Sequence, residues 1–289
     1  MRVRLGRSFT LVFVLSLVLG ALQAAPAAAT SLAVLRTGFA YTDHSVTYPS
    51  SSGIGPLGLA FGAGGVMYAL GADGLLYLTP SGGGAPAVVA TLAGPTSGLT
   101  MGLNGKLYLT RQGASASVVE YDPVGGATRD ILSGLIPGPQ GIATDPTTGD
   151  LMVAGADGFV YRIEGPGSAT PVLHQFREIQ AGVPLHAISV ISDGTIFVNA
   201  RDQIFKASGI GRPTQVGSVV TQANLGGFVV VTRADSAGNP IPRFIYANRT
   251  DGFVTKIDII ESGRRFDVLG GGTRGDHAVI GPDECLYAT

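Results

Sequence analysis

The sequence predicts an all-β chain made of repeated four-stranded sheets. Three observations carry this expectation. Similar segments recur about every forty to fifty residues. Asp-Gly and Pro-Gly pairs sit between short apolar runs, and the 44 glycines are about twice the usual share. After the first thirty residues no stretch spaces its apolar positions three and four apart for ten residues, as a helix would require.

The repeat opens with a short apolar run, a polar or glycine-rich turn and a second apolar run. It does so in "GPLGLAFGAGGVMYAL" (55–70), "GPTSGLTMGLNGKLYLT" (94–110), "GPQGIATDPTTGDLMVA" (138–154), "VPLHAISVISDGTIFVNA" (183–200) and "RGDHAVIGPDECLYAT" (274–289). A third run follows every opening except the last, as in "ADGLLYLT" (72–79), "ADGFVYRIE" (156–164) and "TDGFVTKIDI" (250–259). Its Asp73-Gly74, Asp157-Gly158 and Asp251-Gly252 pairs fall where the chain must reverse. Glycine tolerates positive φ there, and aspartate can accept from a nearby backbone N–H. A fourth run closes each unit, as in "PAVVATLA" (86–93), "TRDILSGL" (128–135) and "GRRFDVLG" (263–270). An irregular unit is expected around "GGFVVVTRAD" (226–235), with a longer inner strand and turn.

Four strands in forty-odd residues is the arithmetic of a β-propeller blade. A blade cannot cover its own faces, so blades stack into a ring, with strands two and three forming the seams. The expected fold is a six-bladed β-propeller of four-stranded antiparallel blades. "RGDHAVIGPDECLYAT" supplies only two strands of the last blade. The N-terminal segment of the mature chain, "TSLAVLRTG" (30–38) and "FAYTDHSVTYP" (39–49), is expected to complete it.

Residues 1–29 read as a secretory signal. Arg2, Arg4 and Arg7 precede the apolar "FTLVFVLSLVLGAL", and small residues follow up to Ala29. Residues 30–289 then form one domain, secreted or periplasmic, with no transmembrane segment. Without the three leading arginines, sixteen basic side chains face twenty acidic ones, a formal charge of −4. No basic stripe occurs, which argues against nucleic acid as a partner. Cys285 is the only cysteine, so no internal disulfide is available, and it is expected to be a small buried apolar residue. "RGD" at 274–276 fits a turn, "NRT" at 248–250 is a formal glycosylation acceptor, and "TDPTTGD" (144–150) reads as a polar turn. His44 and His174 carry no expected role.

The phrases "GPQGIATDPTTGDLMVAGADGFVYRI" and "GPDECLYAT" resemble repeats of the NHL, SMP-30/gluconolactonase and virginiamycin B lyase-like six-bladed propellers. The likeness covers residues 55–289. It implies architecture more than activity, because such folds serve lactonases, lyases and binding modules alike. Lactonases of that group hold a divalent metal in the central channel through a glutamate from an early blade and later asparagine and aspartate. "GPLGLAFG" offers no acidic residue there. The lyase-like members use histidines and a glutamate around Mg²⁺. His186 and His277 lie at matching openings, but no glutamate stands in register with them.

In such a ring, residues at the start of the innermost strands crowd one mouth of the axis. Gln140, His186, Arg274, Asp276 and His277 are the candidate ligand-binding residues at that level. His186, Asp276 and His277 together offer nitrogen and oxygen donors that suit a divalent cation, Ca or Mg. The sequence therefore points to an exported, monomeric propeller that binds a small molecule or protein at the channel mouth, without an identifiable complete catalytic site. The alternatives are a metal-assisted lactonase or lyase acting at that mouth, and a structural envelope or extracellular scaffold.

Overall fold

A computed structural model describes residues 33–37, 39–40, 48, 55–211, 216–260, 264–272 and 274–289. The signal segment, His44 and most of 39–49 lie outside the described residues. Residues Ser31–Thr289 form one compact unit. No helix among the described residues is long and apolar enough to cross a membrane.

After the short strand β1 (Ala33–Val34), the chain builds its blades in order. Blade 1 contains β2 (Gly58–Phe61), β3 (Met67–Leu70), β4 (Leu75–Thr79) and β5 (Ala87–Thr91). Blade 2 contains β6 (Thr96–Met101), β7 (Leu107–Arg111), β8 (Ser117–Tyr121) and β9 (Thr128–Ser133). Blade 3 contains β10 (Ile142–Thr144), β11 (Leu151–Ala154), β12 (Phe159–Glu164) and β13 (Val172–Glu178). Blade 4 contains β14 (Leu185–Val190), β15 (Ile196–Ala200), β16 (Gln203–Ala207) and β17 (Val216–Thr221). Blade 5 contains β18 (Leu225–Ala234), β19 (Pro240–Arg249), β20 (Val254–Asp258) and β21 (Arg265–Gly270). Its first two strands are ten residues each, the irregular unit expected from the sequence. A final hairpin, β22 (Ala278–Ile280) and β23 (Leu286–Ala288), packs between blade 5 and blade 1.

The propeller thus has five blades among the described residues, not six. The N-terminal strand does not complete the hairpin. It pairs with β21 instead, Ala33 with Gly270 and Val34 with Leu269, and becomes the outermost strand of the blade 5 sheet. The Leu35 N–H extends the pairing with a bond to the Val268 carbonyl at 3.0 Å. β21 is the outer strand of blade 5 and offers an open edge, which a short extended segment satisfies wherever it first meets one. β-propensity marked 30–38 as a strand but could not say which edge it would join.

The turns form as their residues dictate. Gly74, Gly158 and Gly252 take φ of 83°, 92° and 82°. Asp73 Oδ1 accepts the Leu75 N–H at 3.2 Å, and Asp157 Oδ1 accepts that of Phe159 at 3.4 Å. Between blades the faces are aliphatic and aromatic. Leu70 and Leu76 meet Leu107 and Leu109 across the first seam. Tyr108 and Val118 meet Leu151 and Ile163 across the second. Met152 and Val160 meet Ile196 and Val198 across the third, and Phe197 meets Ile245 and Ile257 across the fourth. Each such side chain, fully buried, contributes about 2 kcal/mol through removal from water.

The two-stranded hairpin covers less than a blade would, and its neighbours adapt. On the blade 1 side, Val279 and Tyr287 pack on Met67, Ala69 and Tyr77, with Tyr48 set edge-on to Tyr77 at 5.3 Å. On blade 5, Lys256 Nζ lies 3.7 Å from the Phe244 ring centroid and within 6 Å of Phe39, Tyr246 and Phe266. This cation-aromatic stack lies at the blade where the ring has only two further strands to offer. Cys285, expected inside, is exposed. It lies in the β22–β23 turn, which has no outer strands to bury it.

Candidate functional site

The inner strands of the blades and of the hairpin meet side by side around the axis. Their pairing register aligns Leu59, Leu99, Ile142, Ile188, Phe228 and Ala278. The residues immediately before these are Gly58, Gly98, Gly141, Ala187, Gly227 and His277. The glycines are needed because neighbouring backbones nearly touch here. A Cβ at Gly98 would lie 2.6 Å from the Gln140 carbonyl oxygen. One at Gly227 would lie 2.5 Å from the Asp276 carbonyl oxygen and 2.6 Å from His277 Cα. A Cβ at Gly141 would run into the His186 carbonyl oxygen.

His277 is the one large side chain in this layer. It donates a ring N–H to the Leu59 carbonyl and so joins the hairpin to blade 1. Burial lowers its pKa to about 4, against a smaller upward pull from that carbonyl, so the imidazole is neutral above that pH. Asn248 joins the hairpin to blade 5. Its Nδ2 donates to the carbonyl oxygens of His277 at 2.7 Å and Thr289 at 2.9 Å. Thr289 Oγ1 in turn accepts the His277 N–H at 3.0 Å. Asn248→Asp would face two carbonyl oxygens with a carboxylate. It is expected to cost about 2 kcal/mol and to speed amide exchange across 277–289, as hydrogen–deuterium exchange would record.

One residue further out, the same register places Leu57, Ser97, Gln140, His186, Gly226 and Asp276. These six line a cavity of about 310 Å³, joined by Arg274, Thr250 and Phe228 among others. All five candidate residues, Gln140, His186, Arg274, Asp276 and His277, border this one cavity. They come from blade 3, blade 4 and the segment leading into the hairpin. The sequence repeat aligned His186 with Gly141. The pairing register puts Ala187 in the glycine layer of blade 4, as it puts Gly98 there in blade 2, and leaves His186 at the rim beside Gln140 and Asp276; blade 3 carries one more residue in the turn after Gly141.

Local chemistry fixes each group. His186 is exposed at the rim, and the protein packed beneath it lowers its pKa by desolvation. Arg274 Nε donates to both oxygens of Asp276, at 2.9 and 2.8 Å. Asp276 is nearly buried, while the Arg274 side chain is half exposed. Gln140 is held through its main chain: its carbonyl accepts from Thr110 Oγ1 at 2.5 Å and its N–H donates to the Ala154 carbonyl at 2.8 Å.

Sequence reasoning missed Ser97, Leu57, Thr250 and Phe228. Ser97 was legible, since it precedes Gly98 as Gln140 precedes Gly141. Its hydroxyl hydrogen-bonds Thr110 Oγ1 at 2.9 Å and accepts from Gln112 Nε2 at 2.9 Å, so it stiffens the rim. Asn199 lies buried in β15, and its Oδ1 accepts the Ala187 N–H at 2.5 Å. His174 sits on the outer strand β13, 3.2 Å from Glu164.

Among the described residues no three of His, Cys, Asp and Glu are grouped to hold a metal ion. His186, Asp276 and His277 share the cavity, but Asp276 is engaged by a guanidinium and His277 points a proton at Leu59. A divalent cation would have to displace Arg274 from Asp276.

No family model matches the chain, and no curated protein matches it. Solved structures do. A gluconolactonase from Xanthomonas campestris aligns with a TM-score of 0.62 at 13% identity, over 81% of this chain and 82% of that one. An auxiliary nutrient binding protein from Bacteroides thetaiotaomicron aligns with a TM-score of 0.67 at 12% identity, over 81% and 66%. A virginiamycin B lyase from Staphylococcus aureus aligns with a TM-score of 0.55 at 13% identity, over 81% and 84%. At such identities the likeness is one of fold. The chain is a β-propeller distantly similar to lactonase, lyase and binding-protein structures, with five blades in place of the six that the sequence resemblance implied.

Proposed function

We propose that the chain is an exported binding propeller whose axial mouth takes a small ligand, and that it carries no complete catalytic site there. Export rests on the basic, apolar and small-residue order of 1–29. Binding rests on one observation above the others. Gln140, His186 and the Arg274–Asp276 pair, from three segments distant in sequence, converge on a single cavity with an apolar floor of Ile142, Ile188 and Phe228. A concave apolar site with a few polar groups is the usual form of a small-molecule site, and about 310 Å³ is near its lower size limit. The nutrient-binding and lactonase structures are compatible with such use of the fold, and the paired state of Asp276 favours binding over metal chemistry.

The test is a thermal-shift screen of the full chain against monosaccharides, sugar acids, amino acids and small aromatic acids. A ligand at about 100 times its Kd should add about 2.7 kcal/mol and raise Tm by a few degrees. His186→Trp, which crowds the rim from an exposed position, should abolish that rise. No response across the panel, or one indifferent to the variant, overturns the reading. Turnover of sugar lactones that needs Mg²⁺ or Ca²⁺ and vanishes in His277→Ala would replace it with the enzymatic one.

A further inference from the structure

We infer that the ligand of this mouth is a small carboxylate with a compact apolar body, held by the outer edge of Arg274; this rests on the binding reading above. Arg274 commits only its Nε–H to Asp276. Its two terminal amino groups have no hydrogen bond among the described residues, and the side chain is half exposed at the cavity wall. A guanidinium already oriented by one carboxylate presents a planar pair of N–H donors to a second, and this bidentate geometry is the strongest common way to hold a carboxylate.

The rest of the mouth has the same preference. Among the described residues Asp276 is the only acidic side chain lining the cavity, and Arg274 balances its charge. The Gln140 amide and the His186 ring have no side-chain partner among the described residues and stand in the same rim layer. Each can donate to a bound oxygen. Below them Ile142, Ile188 and Phe228 offer apolar surface, and Leu57 adds to it in the rim layer itself. The mouth is thus donor-rich at its wall and apolar at its floor. Gly226 lets the Gly275 carbonyl approach so closely that no Cβ would fit there, which fixes the segment carrying Arg274 against blade 5. Asp276 is a positioning residue in this arrangement: it fixes Arg274 and does not touch the ligand.

Calorimetry of the full chain with two matched pairs tests the inference: benzoate against benzamide, and cyclohexanecarboxylate against its amide. Each acid should bind at least about tenfold more tightly than its amide. The acids should weaken as salt rises, while the amides should not. Arg274→Gln should remove about tenfold from the acids and leave the amides unchanged. Arg274→Lys, which keeps charge but not the fork, should fall between. Asp276→Asn should weaken the acids by loosening Arg274, without altering the amides. Acid preference should persist from pH 6 to pH 9, because arginine keeps its charge there. Equal binding of acid and amide, or an acid preference that ignores salt, overturns the carboxylate inference and leaves the binding reading standing. Failure of all four compounds to bind overturns the carboxylate inference, while the binding reading is decided by the thermal-shift panel. The salt dependence of the unmodified protein decides the matter even if an Arg274 variant does not fold.

Discussion

Gly227→Val is expected to destabilise the propeller by about 3 kcal/mol, the upper part of the range for overpacking a closed interior. The first added carbon would stand 2.5 Å from the Asp276 carbonyl oxygen and 2.6 Å from His277 Cα. Both obstacles are backbone, so no side chain can rotate aside. The hairpin would have to move outward, and with it the Asn248 bonds to His277 and Thr289 and the His277 bond to Leu59. Chemical denaturation should show a lower midpoint, and amides of 277–289 should exchange faster than those of blades 2 and 3. Gly217→Val provides the contrast. Gly217 lies exposed on β17 with nothing within 4 Å of its would-be Cβ, and the change there should fall within about 0.5 kcal/mol of neutral. If both substitutions cost the same, the close approach of inner strands is not what holds the ring shut.

The same layer explains what the sequence could and could not reveal. Gly58, Gly98 and Gly141 recur because one backbone crosses another at each, and this contact leaves a mark at a fixed place in the repeat. Asp-Gly pairs recur for a separate reason, positive φ at the hairpin, and they too were readable. The candidate residues Gln140, His186 and Asp276 could be placed at one mouth because each lies just ahead of this layer. Alignment with blade 3 places His186 one residue off, because the "DPTTGD" turn there is one residue longer; against blade 2 the spacing to the second strand matches Ala187 with Gly98.

The blade count failed for a different physical cause. A two-stranded remnant and an extended N-terminal segment invite the inference that one completes the other. Strand propensity is a property of the segment alone, however, whereas the choice of edge depends on which unpaired N–H and C=O groups lie within reach. Residues 33 and 34 reach Gly270 and Leu269 on blade 5. Nothing in "TSLAVLRTG" distinguishes that edge from the edge of the hairpin. The alternation of Phe244, Tyr246 and Lys256 with buried Ile245, Ala247 and Ile257 did carry a hint. One face of blade 5 is aliphatic, as at the other seams. The face toward the hairpin is aromatic and cationic, which suits a surface that no full blade covers.

A charged residue inside a seam was the other feature hidden from sequence, and it supports the second large prediction. Glu120, on β8 of blade 2, is only 4% exposed. Its Oε1 accepts from Lys106 Nζ at 2.9 Å, and its Oε2 from Tyr108 Oη and Arg129 Nη2, both at 3.0 Å. Arg129 also donates to the Ser168 and Pro166 carbonyls of blade 3, so the cluster ties the two blades together. Burial alone would raise the Glu120 pKa. The bonds from Lys106, Arg129 and Tyr108 outweigh it and hold the carboxyl below its ordinary value. Glu120→Ala should therefore destabilise by about 3 kcal/mol, the low end for breaking a buried ion pair, because Lys106 and Arg129 are each about a third exposed and can turn to water. Tyr108, fully buried, loses an acceptor and can only donate elsewhere at a cost. The sign with pH follows from the depressed pKa. The stabilisation is complete above the unfolded value of 4.5 and is lost as pH falls through the lower folded value. The stability gap between the natural chain and Glu120→Ala should thus be widest near neutrality and narrow in acid, as denaturation at a series of pH values between 3 and 7 would measure. A gap that stays constant into acid would mean that the carboxylate charge has no part in joining blades 2 and 3.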